Sequence, residues 1–249
     1  MATFVIVHGA WSSAWGFSRF RPLLRARGHD VHTPTHTGLG ERSHLAHPGI
    51  DLESHVADVL AVLHFEDLRD VVLVAHSYGG MVGTVVADRA ADRVAQLIYL
   101  DAFVPRDGES CLDLQPPAIR ERALALANEQ GDGWRIPPNP MPPDTPVPIV
   151  EWALPRRMPQ PLKTLTQPAR IGGAVERLPR SYIFCTRVGP GDPFRPFAER
   201  ARADASWRYR ELDASHNPHL TMPETLADLL DALAREPRTP VGGRSQPSP

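Results

Sequence analysis

Short apolar runs alternate along the first hundred residues with stretches in which apolar positions recur at the helical period. The runs predict strands over residues 3–7, 30–33, 70–75 and 94–100. The intervening stretches predict helices over residues 16–27, 51–63 and 79–90. The first, third and fourth of these strands are almost entirely apolar, whereas the second reads D-V-H-T. Such apolar runs are typical of parallel strands buried on both faces. The pattern therefore predicts an α/β fold, with a mostly parallel sheet and helices on both of its faces.

The pattern breaks between residues 104 and 179, where 15 of the 27 prolines lie. Within residues 137–148 proline takes 7 of 12 positions, a density that excludes a regular sheet there. Helical stretches are predicted on either side, over 118–129 and 163–169. Large apolar residues are scattered through the region, at Trp134, Ile136, Val150, Trp152 and Leu154. An inter-domain linker would not need them, so we interpret residues 104–179 as an inserted lid of short helices and rigid loops.

The strand and helix pattern resumes after the lid. It predicts strands over residues 181–186 and 207–212 and helices over 194–203 and 223–234. These elements complete the sheet, so residues 1–235 are predicted to form a single domain. Residues 236–249 are rich in proline, glycine and serine and are predicted to be a disordered tail.

Composition narrows the classes of function. A net charge of −2 offers no basic field for a polyanion, so nucleic acid is not an expected partner. No apolar run approaches the roughly 20 residues that cross a bilayer, and the N-terminus does not resemble a signal peptide. The cysteines, Cys111 and Cys185, are far apart, which favours a reducing compartment over a disulfide. These features predict a cytoplasmic protein that does not bind membranes.

The segment V-V-L-V-A-H-S-Y-G-G-M-V places Ser77 where a predicted strand ends and a helix begins. It is close to the pattern G-x-S-x-G, with Ala75 in place of the first glycine. In that pattern a tight, strained turn presents a serine hydroxyl above the sheet, next to the N-terminus of a helix. The alternative is a helix-entry turn without chemistry. The strand before Ser77 and the helix after it favour a nucleophile.

A serine nucleophile needs a base, and the chain has eleven histidines. His216 follows the last predicted strand, so it lies at the carboxyl edge of the sheet with Ser77. His219 is the nearest rival, although its position near the start of a helix favours packing or capping. His76 adjoins the serine, and its side chain is expected to point elsewhere. His8 is expected to support the first loop structurally.

Four further histidines fall in or near the polar loop after the second strand, and at most one or two are expected to line a cleft: His32, His36, His44 and His47. A metal site is the alternative for this group, but no spacing matches a zinc set. We therefore expect no metal site.

An oxyanion hole needs two backbone donors. The N–H of Tyr78, directly after the nucleophile, is the first candidate. The second is the N–H of Ala10, in the H-G-A-W segment after the first strand. Gly9 keeps that backbone open to a substrate oxygen. The alternative for this segment is a simple turn at the end of a strand.

Several motifs together resemble one group of α/β-hydrolases: V-H-G-A-W, T-G-L-G-E-R-S-H, A-H-S-Y-G-G-M-V, Y-L-D-A-F-V-P and S-H-N-P-H-L. The group contains plant methylesterases, hydroxynitrile lyases and small bacterial esterases. The similarity covers roughly residues 2–235 and is weakest in the lid. It implies a Ser–His–acid triad, no cofactor and a buried, largely apolar substrate pocket under the lid.

The acid departs from the pattern of this group. The plant members carry it in a C-T-x-D motif, but Val188 stands at that position here. Asp101, at the end of the strand after the one that leads to Ser77, is one candidate, since some α/β-hydrolases place their acid there. Asp192 is the alternative, and the absence of any acid is a third possibility. Asp213 is too close in sequence to His216 to be a comfortable partner.

Three functions remain open at this point. The first is a serine hydrolase of small carboxylic esters or lactones. The second is a hydroxynitrile-lyase-like or other C–C bond lyase, although the lyases carry a lysine where Asn217 stands and Lys163 is the chain's only lysine. The third is a binding protein without catalysis.

Several aromatic residues are candidates for an apolar pocket wall: Trp11, Trp15, Phe103, Trp134 and Trp152. They favour an apolar or aromatic substrate. The oligomeric state is left open by the sequence.

Overall fold

The computed structural model describes residues 1–189 and 191–237. Its strands are β1 (Thr3–Val7), β2 (Asp30–His32), β3 (Val71–His76), β4 (Val94–Leu100), β5 (Arg135–Ile136), β6 (Gln160–Pro161), β7 (Arg180–Cys185) and β8 (Trp207–Leu212). Six of them form one sheet in the order β2-β1-β3-β4-β7-β8, and every neighbouring pair is parallel. The predicted parallel α/β sheet is confirmed.

The helices are α1 (Arg21–Ala26), α2 (Leu52–Phe65), α3 (Gly79–Arg89), α4 (Pro117–Gln130), α5 (Val147–Ala153), α6 (Leu162–Thr166), α7 (Arg195–Ala203), α8 (Pro218–Thr221) and α9 (Pro223–Arg235). Short 3₁₀ segments occur at Ala14–Phe17, Gly40–Leu45, Leu154–Arg156 and Ala174–Arg177. Helix α2 begins as predicted, because the Asp51 carboxylate accepts a hydrogen bond from Ser54 N at 2.9 Å.

The single helix predicted over residues 16–27 is wrong in its extent. A 3₁₀ segment, Ala14–Phe17, comes first, and its N-cap Ser13 accepts a hydrogen bond from Trp15 N. Helix α1 then starts with Pro22 in its first turn, where the missing N–H of proline costs nothing. It ends before Gly28, which has a φ of +83°.

Both faces of the central strands are covered, which explains why β1, β3 and β4 contain few polar residues. On β1, Val5 and Val7 pack in the same buried cluster as residues of α2 and α3. Phe4 and Ile6, on the opposite face of β1, pack with residues of α1 and α9. Successive side chains of a strand point to opposite faces, so each strand contributes to both layers.

The lid contains helices α4 and α6 close to their predicted positions. Helix α5 and the antiparallel pair β5–β6 were not predicted. The stretch 137–146, between β5 and α5, contains no helix or strand. The two strands were missed because strands of two residues show no alternation of apolar and polar positions. Helix α5 was missed because it has a proline in its first turn, where proline is tolerated.

The predicted disordered tail, residues 236–249, falls mostly on residues 238–249, which lie outside the described residues. Among the helices that are described, none is long and apolar enough to cross a bilayer.

Candidate active site

The carboxyl ends of strands in the six-stranded sheet bring the predicted site residues together. Ser77 follows β3, Asp101 follows β4, and His216 lies in the loop after β8. Strand β1 neighbours β3 in the sheet, although β2 separates them in sequence. The strand order therefore changes direction between β1 and β3, and a crevice forms above such a point.

The turn at Ser77 is strained and closely packed. Ser77 has a φ of +57°, in the left-handed region that side-chain-bearing residues rarely adopt. A Cβ on Gly79 would lie 2.5 Å from Val7 O, and a Cβ on Gly80 would lie 2.0 Å from Phe103 O. The two glycines after Tyr78 are therefore required by the close approach of neighbouring backbone.

A continuous chain of hydrogen bonds joins the serine, the histidine and a buried carboxylate. Ser77 Oγ lies 2.9 Å from His216 Nε2, and His216 Nδ1 lies 2.7 Å from Asp101 Oδ2. An ionised carboxylate accepts hydrogen bonds, so Nδ1–H donates to Asp101 and Nε2 is free to accept the serine hydroxyl. This arrangement can remove the proton of the serine during nucleophilic attack.

The carboxylate of this chain is almost inaccessible. Asp101 is 2% exposed, and its Oδ1 accepts a hydrogen bond from Cys185 N at 3.2 Å. Burial raises the pKa of Asp101, and its hydrogen bond to His216 opposes that rise. The charged form of Asp101 thus depends on the histidine beside it.

Asp192, the alternative acid, does not contact His216. Its Oδ1 accepts a hydrogen bond from Phe194 N at 3.0 Å, just before helix α7. Its Oδ2 is buried and has no hydrogen-bond partner among the described residues. Asp213 points to the surface and pairs with Arg187. The loop after β7 therefore uses Asp192 at the start of a helix, and the histidine is paired with Asp101.

His216 is also held by two aromatic rings that the sequence analysis did not place. The Phe194 ring stacks on the His216 ring, with centroids 4.8 Å apart and an angle of 9°. His76 was expected to point elsewhere than at the serine, and its side chain makes no hydrogen bond to Ser77 in the described structure. Its Nε2–H donates to the backbone O of His216 at 2.8 Å, and the two rings lie 4.8 Å apart. Only the adjacency of His76 to Ser77 was available as a sequence signal.

The other histidines near the site are packing residues. His219 stacks on Phe17 at 4.3 Å, and burial lowers its pKa to about 3. His8 supports its own loop, because Nδ1–H donates to Gly9 O and Nε2 accepts from His36 N. Burial lowers the pKa of His8 to about 4.

None of the four histidines from the polar loop (His32, His36, His44 and His47) lines the cavity above Ser77. In residues 1–189 and 191–237, no group of three or more potential ligand side chains could hold a metal ion.

The two candidate oxyanion donors flank the serine. Ala10 and Tyr78 both line the cavity with Ser77. Neither backbone N–H donates to a protein acceptor in the described part of the chain. Gly9 packs against the serine so closely that a Cβ would lie 2.9 Å from Ser77 Cβ. Two free amides beside a hydroxyl can hold an oxygen that carries developing negative charge.

A cavity of about 1010 Å³ opens above Ser77. Three of the five aromatic candidates line it: Trp11, Trp15 and Phe103. The other two candidates, Trp134 and Trp152, do not line it. Trp152 packs on the Trp15 ring at 5.2 Å, and Trp134 packs beneath the Arg135 guanidinium at 4.7 Å.

The remaining wall is largely apolar and comes mostly from the lid. Apolar lining residues include Leu112, Ile119, Leu126, Ile136, Leu165 and Phe194. Five prolines of the stretch between β5 and α5 also line the cavity: Pro137, Pro138, Pro140, Pro142 and Pro143. Such a space can enclose a drug-sized ligand, since ligand pockets commonly span about 300–1,000 Å³.

Comparisons with known proteins identify the family of the chain. A carbendazim-hydrolysing esterase from Nocardioides sp. is 39% identical over 244 residues, which cover 94% of this chain and 100% of that protein. Methylesterase 2 of Arabidopsis thaliana is 32% identical over 139 residues, which cover 51% of this chain and 48% of that protein.

Among solved structures, an extracellular alpha/beta-hydrolase from a Paenibacillus species superposes with a TM-score of 0.84 at 25% identity. The match covers 95% of this chain and 100% of that one, and that hydrolase is described as a structural and functional homologue of tobacco salicylic acid binding protein 2. The resemblance to the methylesterase group and its bacterial relatives is confirmed. The model of the alpha/beta hydrolase family matches residues 4–229, and the chain belongs to that family.

Proposed function

We propose that the protein hydrolyses small apolar or aromatic carboxylic esters or lactones through an acyl-enzyme formed on Ser77. The protein is a carboxylic ester hydrolase, as its similarity to esterases over nearly the whole chain indicates. The observation that carries the proposed mechanism is the chain of hydrogen bonds from Ser77 through His216 to Asp101, at the base of a largely apolar cavity.

In the first step Ser77 Oγ attacks the ester carbonyl carbon while His216 Nε2 takes the hydroxyl proton. The C=O bond becomes a C–O⁻ bond, and the imidazole becomes an imidazolium. Asp101 stabilises that cation and keeps the neutral ring in the tautomer whose Nε2 can accept a proton. The Phe194 ring, stacked on His216, restricts the imidazole to the orientation that faces Ser77.

The developing oxyanion is proposed to accept hydrogen bonds from Ala10 N and Tyr78 N. Among the described residues these amides have no protein acceptor, so no bond described there needs to be broken when the negative charge appears. Collapse of the tetrahedral intermediate breaks the bond to the alcohol, which leaves with the proton from His216 Nε2. A water molecule then attacks the acyl carbon with the same base, and the acid product and free Ser77 are released.

The cavity supports substrates larger than acetates. Its volume of about 1010 Å³ and its apolar wall favour an aromatic or branched acyl or alcohol group. The Nocardioides relative is named for hydrolysing carbendazim. Among small-molecule esters we therefore propose those with an aromatic or branched acyl or alcohol group as substrates, and carbendazim, an aromatic methyl carbamate, is a further probe. A cytoplasmic location remains a prediction.

The lyase alternative has no support from the site. Asn217 follows His216 where the lyases carry a lysine, and Lys163 lies exposed on the lid, outside the cavity lining. The binding-protein alternative is weakened by the hydrogen-bonded serine and histidine, which a protein without catalysis would not need.

The proposal is tested with Ser77→Ala. We expect turnover of p-nitrophenyl benzoate to fall to the background rate, because the nucleophile is removed and the cavity is kept. Ser43→Ala, at a serine outside the cavity lining, is the matched control and should retain full activity. A fluorophosphonate probe should label the native protein and fail to label Ser77→Ala. Undiminished ester turnover by Ser77→Ala would refute the mechanism.

A further inference from the structure

The lid holds the loop that carries Ala10 at three points, all of them on Trp11. Trp11 N donates to Gln160 Oε1 at 3.1 Å, and Trp11 O accepts from Met158 N at 3.3 Å. The indole Nε1 donates to Ile136 O at 2.9 Å. We call Ile136, Met158 and Gln160 the Trp11 clamp. Residues about 125 to 149 positions away in sequence thus fix the residue directly after the proposed oxyanion donor.

Trp11 needs such support because of its backbone conformation. Its φ is +60°, which is uncommon for a bulky residue. Residues in this region persist where the surrounding structure over-determines them, and they concentrate at functional sites. Without the clamp, the peptide between Ala10 and Trp11 would relax towards an ordinary conformation.

Hydrogen bonds within the lid fix the orientation of the Gln160 side-chain amide. The side chain is fully buried, and its Nε2 donates to Thr164 Oγ1 at 2.7 Å. That hydroxyl donates to Pro161 O, so it is able to accept from Gln160. The amide oxygen is therefore left facing Trp11 N. Gln160 also pairs with Ile136 in the β5–β6 ladder, which places two parts of the clamp side by side.

The Ala10 N–H is then fixed from both sides. On one side Gly9 lies against Ser77, where there is no room for even a Cβ. On the other side the Trp11 clamp fixes the next peptide. Two rotatable bonds, at the Cα of Ala10, separate these anchors, so the direction of its N–H depends on both.

We infer that Gln160 is a positioning residue: through Trp11 it holds the Ala10 N–H in the direction that receives the oxyanion, so the lid completes the catalytic site as well as enclosing it. This inference rests on the proposed function, because it concerns the same acyl transfer. The ladder β5–β6, which no other feature of the fold explains, gains a role as the support of the clamp.

The effect of such a residue falls on the transition state. An oxyanion donor contacts a charge that is absent from the bound ester, so misplacing it lowers kcat more than it raises KM. Removing an oxyanion donor outright costs about 10²–10³-fold in kcat. Gln160 acts one peptide away, and we expect a loss of about 10- to 100-fold on the same grounds.

The test compares three variants at one position. Gln160→Met keeps the volume and removes the acceptor, and Gln160→Asn keeps an amide but withdraws its oxygen by one methylene. Both should lower kcat for p-nitrophenyl benzoate with KM within about threefold. Gln160→Glu retains an acceptor oxygen in either protonation state and should recover most of kcat. Each variant is checked for folding by circular dichroism and Tm.

A pair of inhibitors separates positioning from lid packing. 1,1,1-Trifluoro-4-phenylbutan-2-one forms a hemiketal oxyanion with the serine, whereas 4-phenylbutan-2-one binds without one. Binding of the trifluoromethyl ketone should weaken in parallel with kcat in Gln160→Met and Gln160→Asn, and binding of the plain ketone should not change. A merely structural role would weaken both inhibitors together.

The inference is overturned if folded Gln160→Met and Gln160→Asn keep kcat within about twofold of the native value, or if the two inhibitors weaken equally. Failure of all three variants to fold would make Gln160 a residue of lid folding and would overturn it as well. If Ser77→Ala is inactive while these variants are fully active, only the role of Gln160 is lost. If Ser77→Ala is active, the proposed mechanism itself fails.

Discussion

The sheet and the lid contribute different parts of the candidate site and differ in the residues they use. The sheet carries the proposed reacting groups, Ser77, Asp101 and His216, on loops that follow its strands. The lid is rich in proline, exposes several of its apolar side chains and supplies most of the cavity wall. The proposed nucleophile, base and acid therefore come from the sheet, and the lid supplies most of the surface that a substrate would contact.

The difference teaches that rigidity is obtained in two ways. In the sheet it comes from burial, as at Leu73, which has no exposed surface. In the lid it comes from the fixed φ of proline and from a few long-range hydrogen bonds, such as those to Trp11. Three experiments can break or sharpen this comparison.

The largest effect is expected from the buried acid of the sheet. Asp101→Asn removes the charge that orients and stabilises His216, and kcat should fall about 10⁴-fold, as it does in triads whose acid is amidated. Asp192→Asn, the matched control in the loop before α7, should change kcat by less than about threefold, because Asp192 does not contact the histidine. The measurement is kcat and KM for p-nitrophenyl benzoate.

An opposite ranking of the two variants would show that the loop after β7 rearranges and delivers Asp192 to His216 during turnover. The pairing with Asp101 would then describe the resting enzyme and not the reacting one.

A smaller effect is expected from packing. Leu73→Ala creates a cavity in the sheet layer and should lower the free energy of unfolding by about 2–5 kcal/mol. Val147 in the lid is 67% exposed, and Val147→Ala should change the free energy of unfolding by less than about 0.5 kcal/mol. Urea denaturation followed by circular dichroism measures both. Equal losses would mean that the lid is packed as tightly as the sheet.

The smallest effect on stability per side chain is expected from the protonation of buried histidines. Burial lowers the pKa of His8 and His55 to about 4 and that of His219 to about 3, from an ordinary value of 6.5. At acidic pH these histidines therefore bind protons in the unfolded chain but not in the folded protein. Stability is complete above about pH 6.5 and is lost as the pH falls towards these lower values, by about 2 kcal/mol per histidine between pH 7 and 5.

The histidines that cause this loss of stability at low pH all lie outside the lid, since residues 104–179 contain none of the eleven histidines. Urea denaturation at pH 7 and pH 5 measures it. His219→Gln should reduce the difference in the free energy of unfolding between the two pH values, whereas His64→Gln, at an exposed position, should leave the difference unchanged. A native difference that survives His219→Gln in full would exclude this histidine as a source.

The sheet and the turn at Ser77 could be predicted from the sequence because both follow local rules. Buried parallel strands produce apolar runs, as at β1 and β4, and the bounds of β1, β4 and β8 match the predictions residue for residue. The strand–serine–helix segment predicted the turn at Ser77, since small neighbours are a steric requirement of that turn. The choice between Asp101 and Asp192 stayed open, because a loop after β7 has no period that fixes where its carboxylate points.

For the lid, the sequence predicted the position in the chain but not the contacts that hold it together. Its β5–β6 ladder is two residues long on each side, too short for an alternation to be visible. Gln160 stands in the unremarkable segment M-P-Q-P-L, and its contact with Trp11 bridges 149 positions. Contacts of this kind depend on how the lid folds back over the sheet. The single-domain organisation of residues 1–235 stays a prediction.

The proline wall of the cavity has a consequence for molecular recognition. Proline nitrogen carries no hydrogen, so the five prolines that line the cavity offer no amide hydrogens at those positions. In this stretch a ligand carbonyl can receive a backbone hydrogen bond only from the other lining residues, Asn139, Met141 and Asp144. The positions of the prolines thus limit where this wall can bind a carbonyl group of a ligand.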